Sequence, residues 1–207
     1  MVIILEGISG AGKTTQAVRL LRWLRRSGSG MLVREFSSGL IGGLITRTYK
    51  RRRERFLRFH ENDRFADQTY LLLLADSIAK AEEASCATED VVLIDRLFDS
   101  WLCYAQAGEN RLALDDRQVW DLYCNCVKAH LPSDAVTVFL EVEVDTAIRR
   151  LNDREDFGVG APDRERLVAV ARNFEELYNR SPAIRVPADR EPVKVTATIL
   201  EAIGLRH

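Results

Sequence analysis

Apolar residues along this chain follow two alternating rhythms. Short continuous runs are separated by longer stretches in which apolar positions recur every three or four residues. The runs at 2–5, 31–36, 91–95, 136–142 and 184–186 each predict a strand. Residues 91–95 are almost pure Val, Leu and Ile, as a parallel strand covered on both faces demands. The spacing predicts a helix over 14–26, with Ala17, Leu20, Leu21 and Leu24 on one face. A second helix with a very basic end falls within 40–58. A third over 62–84 is apolar on most sides near 70–75, which predicts burial. Further helices are expected over 99–106 and 115–129. Another begins at 146–151 and runs into a charged, Gly-containing stretch at 152–163. Residues 164–178 put Leu167, Val170, Ala171, Phe174 and Leu177 on one face, and 191–203 form a last helix stopped by Gly204. Five strands separated by helices make a parallel α/β sheet with right-handed crossovers. Without internal repeats or a Gly/Ser/Pro-rich linker, the simplest organisation is one domain over 1–207.

Composition narrows the class. The chain has 207 residues, 46% apolar and 29% charged, which is enough for a substantial core. A net charge of −1 provides no global basic field for nucleic acid or an acidic membrane. No apolar run reaches the ~18 residues that span a bilayer. The apolar start lacks a basic leader and runs straight into a Gly-rich motif, so it reads as a strand, and a cytoplasmic protein is expected. Cys86, Cys103, Cys124 and Cys126 form no paired C-x-x-C ligand clusters and read as reduced, small hydrophobes.

The Gly-rich motif carries the chemistry. Gly7-Ile8-Ser9-Gly10-Ala11-Gly12-Lys13-Thr14 matches G-x-x-x-x-G-K-[ST] at every fixed position, with a strand before and a helix after. Glycines bring main-chain N–H groups close to phosphate oxygens, and the next helix points its positive end at them. Gly7, Ser9, Gly10, Ala11, Gly12, Lys13, Thr14 and Thr15 are thus candidates for holding ATP. Lys13 would reach the terminal phosphates, and the Thr14 hydroxyl would bind Mg²⁺. Asp95 ends a buried strand, where ligands of open α/β sheets bind and where an acid holds Mg²⁺ or its water. Arg96 follows it into the same crevice. A helix cap for Asp95 and an ion pair for Arg96 are the competing roles. A flexible lid over about 150–164 is expected, carrying Arg149, Arg150 and Arg154 to neutralise the moving phosphoryl group. The alternative there is a solvated charged loop.

These elements, in this order, resemble the thymidylate kinase family of nucleoside-monophosphate kinases over nearly the whole chain. Residues 4–16, including Thr15-Gln16, are similar to its opening signature. Asp95-Arg96 with Ser100 and Tyr104 looks like its Asp-Arg-Tyr…Ser…Ala-Tyr-Gln segment. Phe139-Leu140-Glu141-Val142 resembles its fourth strand, and 149–154 the start of its lid. The resemblance implies a P-loop NTPase fold with strand order 2-3-1-4-5, ATP with Mg²⁺, and often a homodimer.

Departures from the family cluster on the acceptor side. Ser9 stands where an Asp or Glu is usual. Phe36-Ser37-Ser38-Gly39 is read as lacking both the proline and the arginine expected after the second strand. Leu73 replaces a base-stacking Phe, Ser77 an arginine and Leu97 a tyrosine, while Gln106 lies one residue late. Each lost stack or charge-assisted hydrogen bond is worth on the order of 1–3 kcal/mol. Ser9, Phe36, Leu73, Ser77, Arg96, Ser100 and Tyr104 are therefore the candidate acceptor contacts. Arg47, Lys50, Arg51, Arg52, Arg53, Arg55 and Arg58 could compensate, although a solvated helix face is the commoner role for such a run. The sequence predicts a kinase that acts on a nucleoside monophosphate such as thymidylate or a modified analogue. A different anionic metabolite and a non-catalytic nucleotide-binding module are the alternatives.

Overall fold

Two apolar runs without an exposed position become neighbouring central strands, β1 (Val2–Glu6) and β3 (Val91–Asp95). Strands buried on both faces need helices on both sides of the sheet. The computed structural model describes residues 1–52, 66–107, 116–153 and 160–205. Three further strands, β2 (Gly30–Val33), β4 (Val136–Glu141) and β5 (Ile184–Pro187), complete a parallel sheet of order β2-β3-β1-β4-β5. That is the expected P-loop NTPase order. The register sets Leu5 opposite Asp95 and Glu6 opposite Phe139, so the carboxyl ends of β1 and β3 lie within one residue of each other and β4 runs two residues further.

The described helices are α1 (Lys13–Ser27), α2 (Leu40–Arg52), α3 (Ala66–Ser85), α4 (Phe98–Gln106), α5 (Asp116–Leu122), α6 (Val144–Asn152), α7 (Ala161–Tyr178) and α8 (Pro192–Ala202). The β1→β2 connection crosses the sheet in the opposite direction from the later ones, so right-handed crossovers put α1 on one face and α3, α4 and α7 on the other. The packing agrees: α1 meets α8, and α4 meets both α3 and α7. Gln16 and Thr196 join the first pair, with the Thr196 hydroxyl 2.7 Å from Gln16 Oε1.

Several boundaries differ from the sequence expectation. Strand β2 stops at Val33 rather than at 36, because the chain turns there to hydrogen-bond α3 through Ser37. Helix α7 starts at Ala161, inside the stretch expected to be irregular. Pro162 sits in its first turn, and the Gly160 N–H donates to the Asp163 carboxylate at 2.9 Å. The expected 115–129 helix divides into α5, a π-helical turn (Tyr123–Val127) and a 3₁₀ turn (Lys128–His130). The π turn lays Tyr123 flat on Phe98, ring centroids 5.2 Å apart. Helix α3 is not buried all round, since Leu71 is 54% exposed. The expected extension of the second helix beyond Arg52 and most of the lid lie outside the described residues.

The far side of the core is an aromatic stack. Phe174 of α7 is fully buried and lies 5.4 Å from Phe139 and 5.9 Å from Tyr178 between ring centroids. Phe174→Ala should cost about 3–5 kcal/mol of unfolding free energy. Urea denaturation measures this, and a loss below about 1 kcal/mol would contradict the packing described.

Candidate active site

The loop between β1 and α1 folds as its glycines require. Gly7, Gly10 and Gly12 have φ of 141°, 86° and 94°. At Gly10 a side chain is also barred by space, because a Cβ would lie 2.5 Å from the Ala147 carbonyl oxygen of α6. The loop therefore rests directly on α6. Arg150 strengthens that contact by donating to the carbonyls of Gly10 at 3.4 Å and Ala188 at 2.7 Å.

Lys13 curls back over the loop. Its Nζ donates to the carbonyls of Gly7 at 2.8 Å and Ile8 at 2.7 Å. Burial, followed by the neighbouring Arg96 charge, lowers its pKa to about 7. Such an ammonium is short of negative charge, which a phosphate would supply. Next to it, the Thr14 hydroxyl donates to Asp95 Oδ2 at 2.8 Å. The other carboxylate oxygen, Oδ1, is buried and has no hydrogen-bond partner. An unpartnered carboxylate oxygen beside a threonine hydroxyl fits a hard divalent cation such as Mg²⁺, which takes few protein ligands and keeps the rest for water and phosphate. Among the described residues there is no cluster of three or more His, Cys, Asp or Glu that could form an all-protein cage.

Across the crevice stands Arg96, with φ of 64°. A left-handed non-glycine residue costs on the order of 1–3 kcal/mol and persists only where its surroundings hold it. Its N–H donates to the Leu5 carbonyl at 3.1 Å. Its guanidinium pairs with Glu35 at 3.1 Å, donates to Ser100 Oγ at 3.2 Å and Ser9 Oγ at 3.3 Å, and lies over the Tyr104 ring. The Tyr104 hydroxyl donates to Ser9 Oγ and accepts from the Ser9 N–H, each at 2.8 Å. Ser9, Arg96, Ser100 and Tyr104 thus meet as one cluster facing the phosphate loop.

The other candidate residues are placed differently. Phe36 is half-buried and stacks on Trp101 at 5.8 Å. Leu73 is 1% exposed and belongs to the core. Ser77 has no exposed surface and donates to the Leu73 carbonyl at 2.9 Å within its own helix. Arg149 is exposed near Thr146, whereas Arg154 lies outside the described residues. Arg47 is exposed, and Arg53, Arg55 and Arg58 also lie outside the described residues. One sequence expectation is corrected. Because β2 ends at Val33, Arg34 follows the strand directly, so an arginine does stand after it while the proline does not.

Three site residues were missed in the sequence. Glu35 pairs with Arg96. Lys80 is buried beneath that pair. Glu6 is fully buried at the end of β1, accepts from the Leu97 N–H at 2.7 Å, and receives the Ser100 hydroxyl. A lone acid closing an apolar strand was the available signal for Glu6, since a buried carboxylate needs partners. For Lys80 it was a charge on the buried stripe of Leu73, Ser77 and Ala84. Glu35 gave no comparable signal.

Burial, followed by Asp99, raises the Glu6 pKa from 4.5 to about 7. The folded chain therefore binds this proton more tightly than the unfolded one. The associated stability is complete below the unfolded value and is lost as pH rises through about 7. The shift corresponds to about 3 kcal/mol. Relative to Glu6→Gln, the wild-type chain should lose about that much stability between about pH 4 and about pH 8. Urea midpoints across that range test it, and parallel pH profiles would refute it.

Comparisons with known proteins fit this geometry. A family model described as thymidylate kinase matches residues 5–199. A thymidylate kinase of Synechococcus sp. (strain CC9605) is 30% identical over 208 residues, covering 95% of this chain and 93% of the relative. A probable thymidylate kinase of Methanosphaera stadtmanae is 26% identical and covers 98% of this chain and 92% of the relative. Among solved structures, a deoxyadenosine kinase of M. mycoides, determined with its products dCMP and a flexible dCDP bound, shares the fold. Its TM-score is 0.67 at 18% identity, and the match covers 99% of each chain.

Proposed function

The chain belongs to the thymidylate kinase family, and on that premise we propose that it transfers the γ-phosphoryl group of ATP, bound with Mg²⁺, to a (deoxy)nucleoside monophosphate such as thymidylate or a modified analogue. The observation that carries the proposal is the convergence of Lys13, the Thr14–Asp95 contact and Arg96 at the carboxyl ends of β1 and β3. A phosphoryl donor and acceptor must approach in line, and here two cationic side chains face each other across the point where β1 and β3 end.

In this reading the main chain of residues 10–15 binds the donor phosphates. Lys13 leaves the Gly7 and Ile8 carbonyls to follow the transferred group. Thr14 and Asp95 Oδ1 hold Mg²⁺, which when bound neutralises charge on the donor phosphates. Arg96 orients the acceptor phosphate, with Ser9, Ser100 and Tyr104 fixing the guanidinium. An acceptor phosphate is already ionised near neutral pH, so no general base is required. The bond formed joins an acceptor oxygen to the γ phosphorus, and the bond broken releases ADP. Arg149, exposed on α6, and Arg154 are the further arginines that would stabilise the moving charge. Arg150 does so indirectly, through its support of Gly10. A homodimer is part of the proposal, supported by Leu40, Leu44 and Leu71, which are 88%, 48% and 54% exposed on α2 and α3. Sedimentation velocity decides that point.

The placement of Leu73 and Ser77 in the core favours a second reading, in which the acceptor is another small anionic metabolite. A screen with ATP–Mg²⁺ over nucleoside monophosphates, nucleosides and phosphorylated or phosphonate metabolites, reading ADP release and product mass, separates the two. Turnover of a nucleoside monophosphate is expected. Turnover of another metabolite alone would establish the second reading. Nucleotide binding with no product from any acceptor would leave a non-catalytic module. Lys13→Ala should lower kcat by about 100-fold or more on whichever acceptor is used. An unchanged rate would displace the active site from this loop.

A further inference from the structure

A lysine ammonium in a protein interior is costly unless each donor finds an acceptor. Lys80 of α3 has no exposed surface. Its Nζ donates to the carbonyl oxygens of Glu35 at 2.9 Å, Asp95 at 3.1 Å and Arg96. An ammonium has three N–H groups, so all of them are spent on main-chain oxygens. Those oxygens belong to two connections: Glu35 lies after β2, whereas Asp95 and Arg96 lie at the end of β3. One helical turn earlier, Asp76 accepts from the N–H and hydroxyl of Ser37, at 3.0 and 2.7 Å. Helix α3 therefore grips both loops that border the acceptor side of the crevice.

Arg96 is the residue with most to lose from a change there. It is the one non-glycine residue with positive φ among those described. Its main chain is held from both ends, by the Leu5 carbonyl on its N–H and by Lys80 on its own carbonyl. That conformation turns the guanidinium toward Ser9, Ser100 and Tyr104. Glu35, whose carbonyl Lys80 also binds, supplies the carboxylate that pairs with the guanidinium. Burial lowers the pKa of this ammonium, and the nearby carboxylates of Asp76, Asp95, Glu35 and Glu6 counter part of that effect. The sequence pattern adds independent support. Position 80 lies on the buried stripe of α3 with Leu73, Ser77 and Ala84, where an apolar or small residue would otherwise be expected.

We propose that Lys80 is a positioning residue for the acceptor side: its ammonium fixes Arg96 in the left-handed conformation and sets Glu35 against it. The proposal rests on the reading of Arg96 as the group that meets the acceptor. It predicts a role distinct from binding the donor phosphates in the absence of Mg²⁺, because Lys80 bonds the main chain of Asp95 but makes no hydrogen bond to Lys13 or the phosphate loop.

The test is a double-mutant cycle of Lys80→Met with Arg96→Ala, together with Lys80→Gln. Three quantities are read: kcat/KM for thymidylate or for the best acceptor in the screen, affinity for a fluorescent ADP analogue measured without Mg²⁺, and the Nε–Hε NMR signal of Arg96. Lys80→Met should lower acceptor kcat/KM by about 10- to 100-fold. It should leave ADP-analogue affinity within about threefold and shift or broaden the Arg96 signal. In the Arg96→Ala background it should cost little more, because the group it positions is gone. An equal loss with and without Arg96, or an unmoved Arg96 signal with unchanged kcat/KM, would overturn the proposal. If Lys80→Met does not fold, Lys80→Gln, which keeps two donors, should show a smaller shift in the same direction. Wild-type behaviour of that variant would equally overturn it. If the wild-type chain phosphorylates no acceptor, the proposed function fails, and the Arg96 signal still decides the role of Lys80.

Discussion

Strands β1 and β3 lie side by side with Leu5 opposite Asp95, and the chemistry of the molecule depends on that register. One strand leads into the phosphate loop and the other into Asp95-Arg96. Sliding β3 by one residue would reverse which face each side chain occupies. Thr14 would then lose Asp95, and Arg96 would no longer face Ser9. The register is held by two strands buried along their whole length, so the apolar core fixes the polar site. Helices on both faces make this possible, and they also remove water from the crevice floor.

Removing water leaves charges that must be balanced internally. Glu6, Lys13, Lys80, Asp95 and Arg96 are each at most 6% exposed. Isolated, any one of them would be strongly unfavourable there. They are tolerated because each is tied to main-chain groups or to another charge. Glu6 holds the start of α4, Lys13 holds two loop carbonyls, and Lys80 holds three more. Three of the groups, Glu6, Lys13 and Lys80, still have pKa values moved toward neutrality by burial. A site in this condition has spare affinity for an anion near Lys13 and for a cation near Asp95.

The donor and acceptor sides differ in how they are built. The donor side is a local structure: the loop, its glycines and the helix after it are consecutive in sequence. The acceptor side is assembled from β2's exit, α3, β3's exit and α4. Residues 36, 73 and 77, expected by resemblance to touch the acceptor, end in a ring stack or in the core. Glu35 and Lys80 instead appear beside Arg96, one on its guanidinium and the other on its main-chain carbonyl.

The sequence by itself determined the strands, the sheet order through resemblance, the phosphate loop and the Asp95-Arg96 pair. These are legible because apolar periodicity and a contiguous motif are local signals. Resemblance named Ser9, Arg96, Ser100 and Tyr104 as acceptor candidates together with Phe36, Leu73 and Ser77, and the folded chain gathers only the first four into one cluster. Only the tertiary structure decided where β2 ends, that α7 begins at Ala161, that Arg150 serves Gly10, and that Leu73 and Ser77 are core residues. It alone revealed Lys80, whose three acceptors lie at positions 35, 95 and 96. No window of sequence contains both a buried charge and the distant carbonyls that satisfy it, so residues of this kind become visible only when the chain is folded.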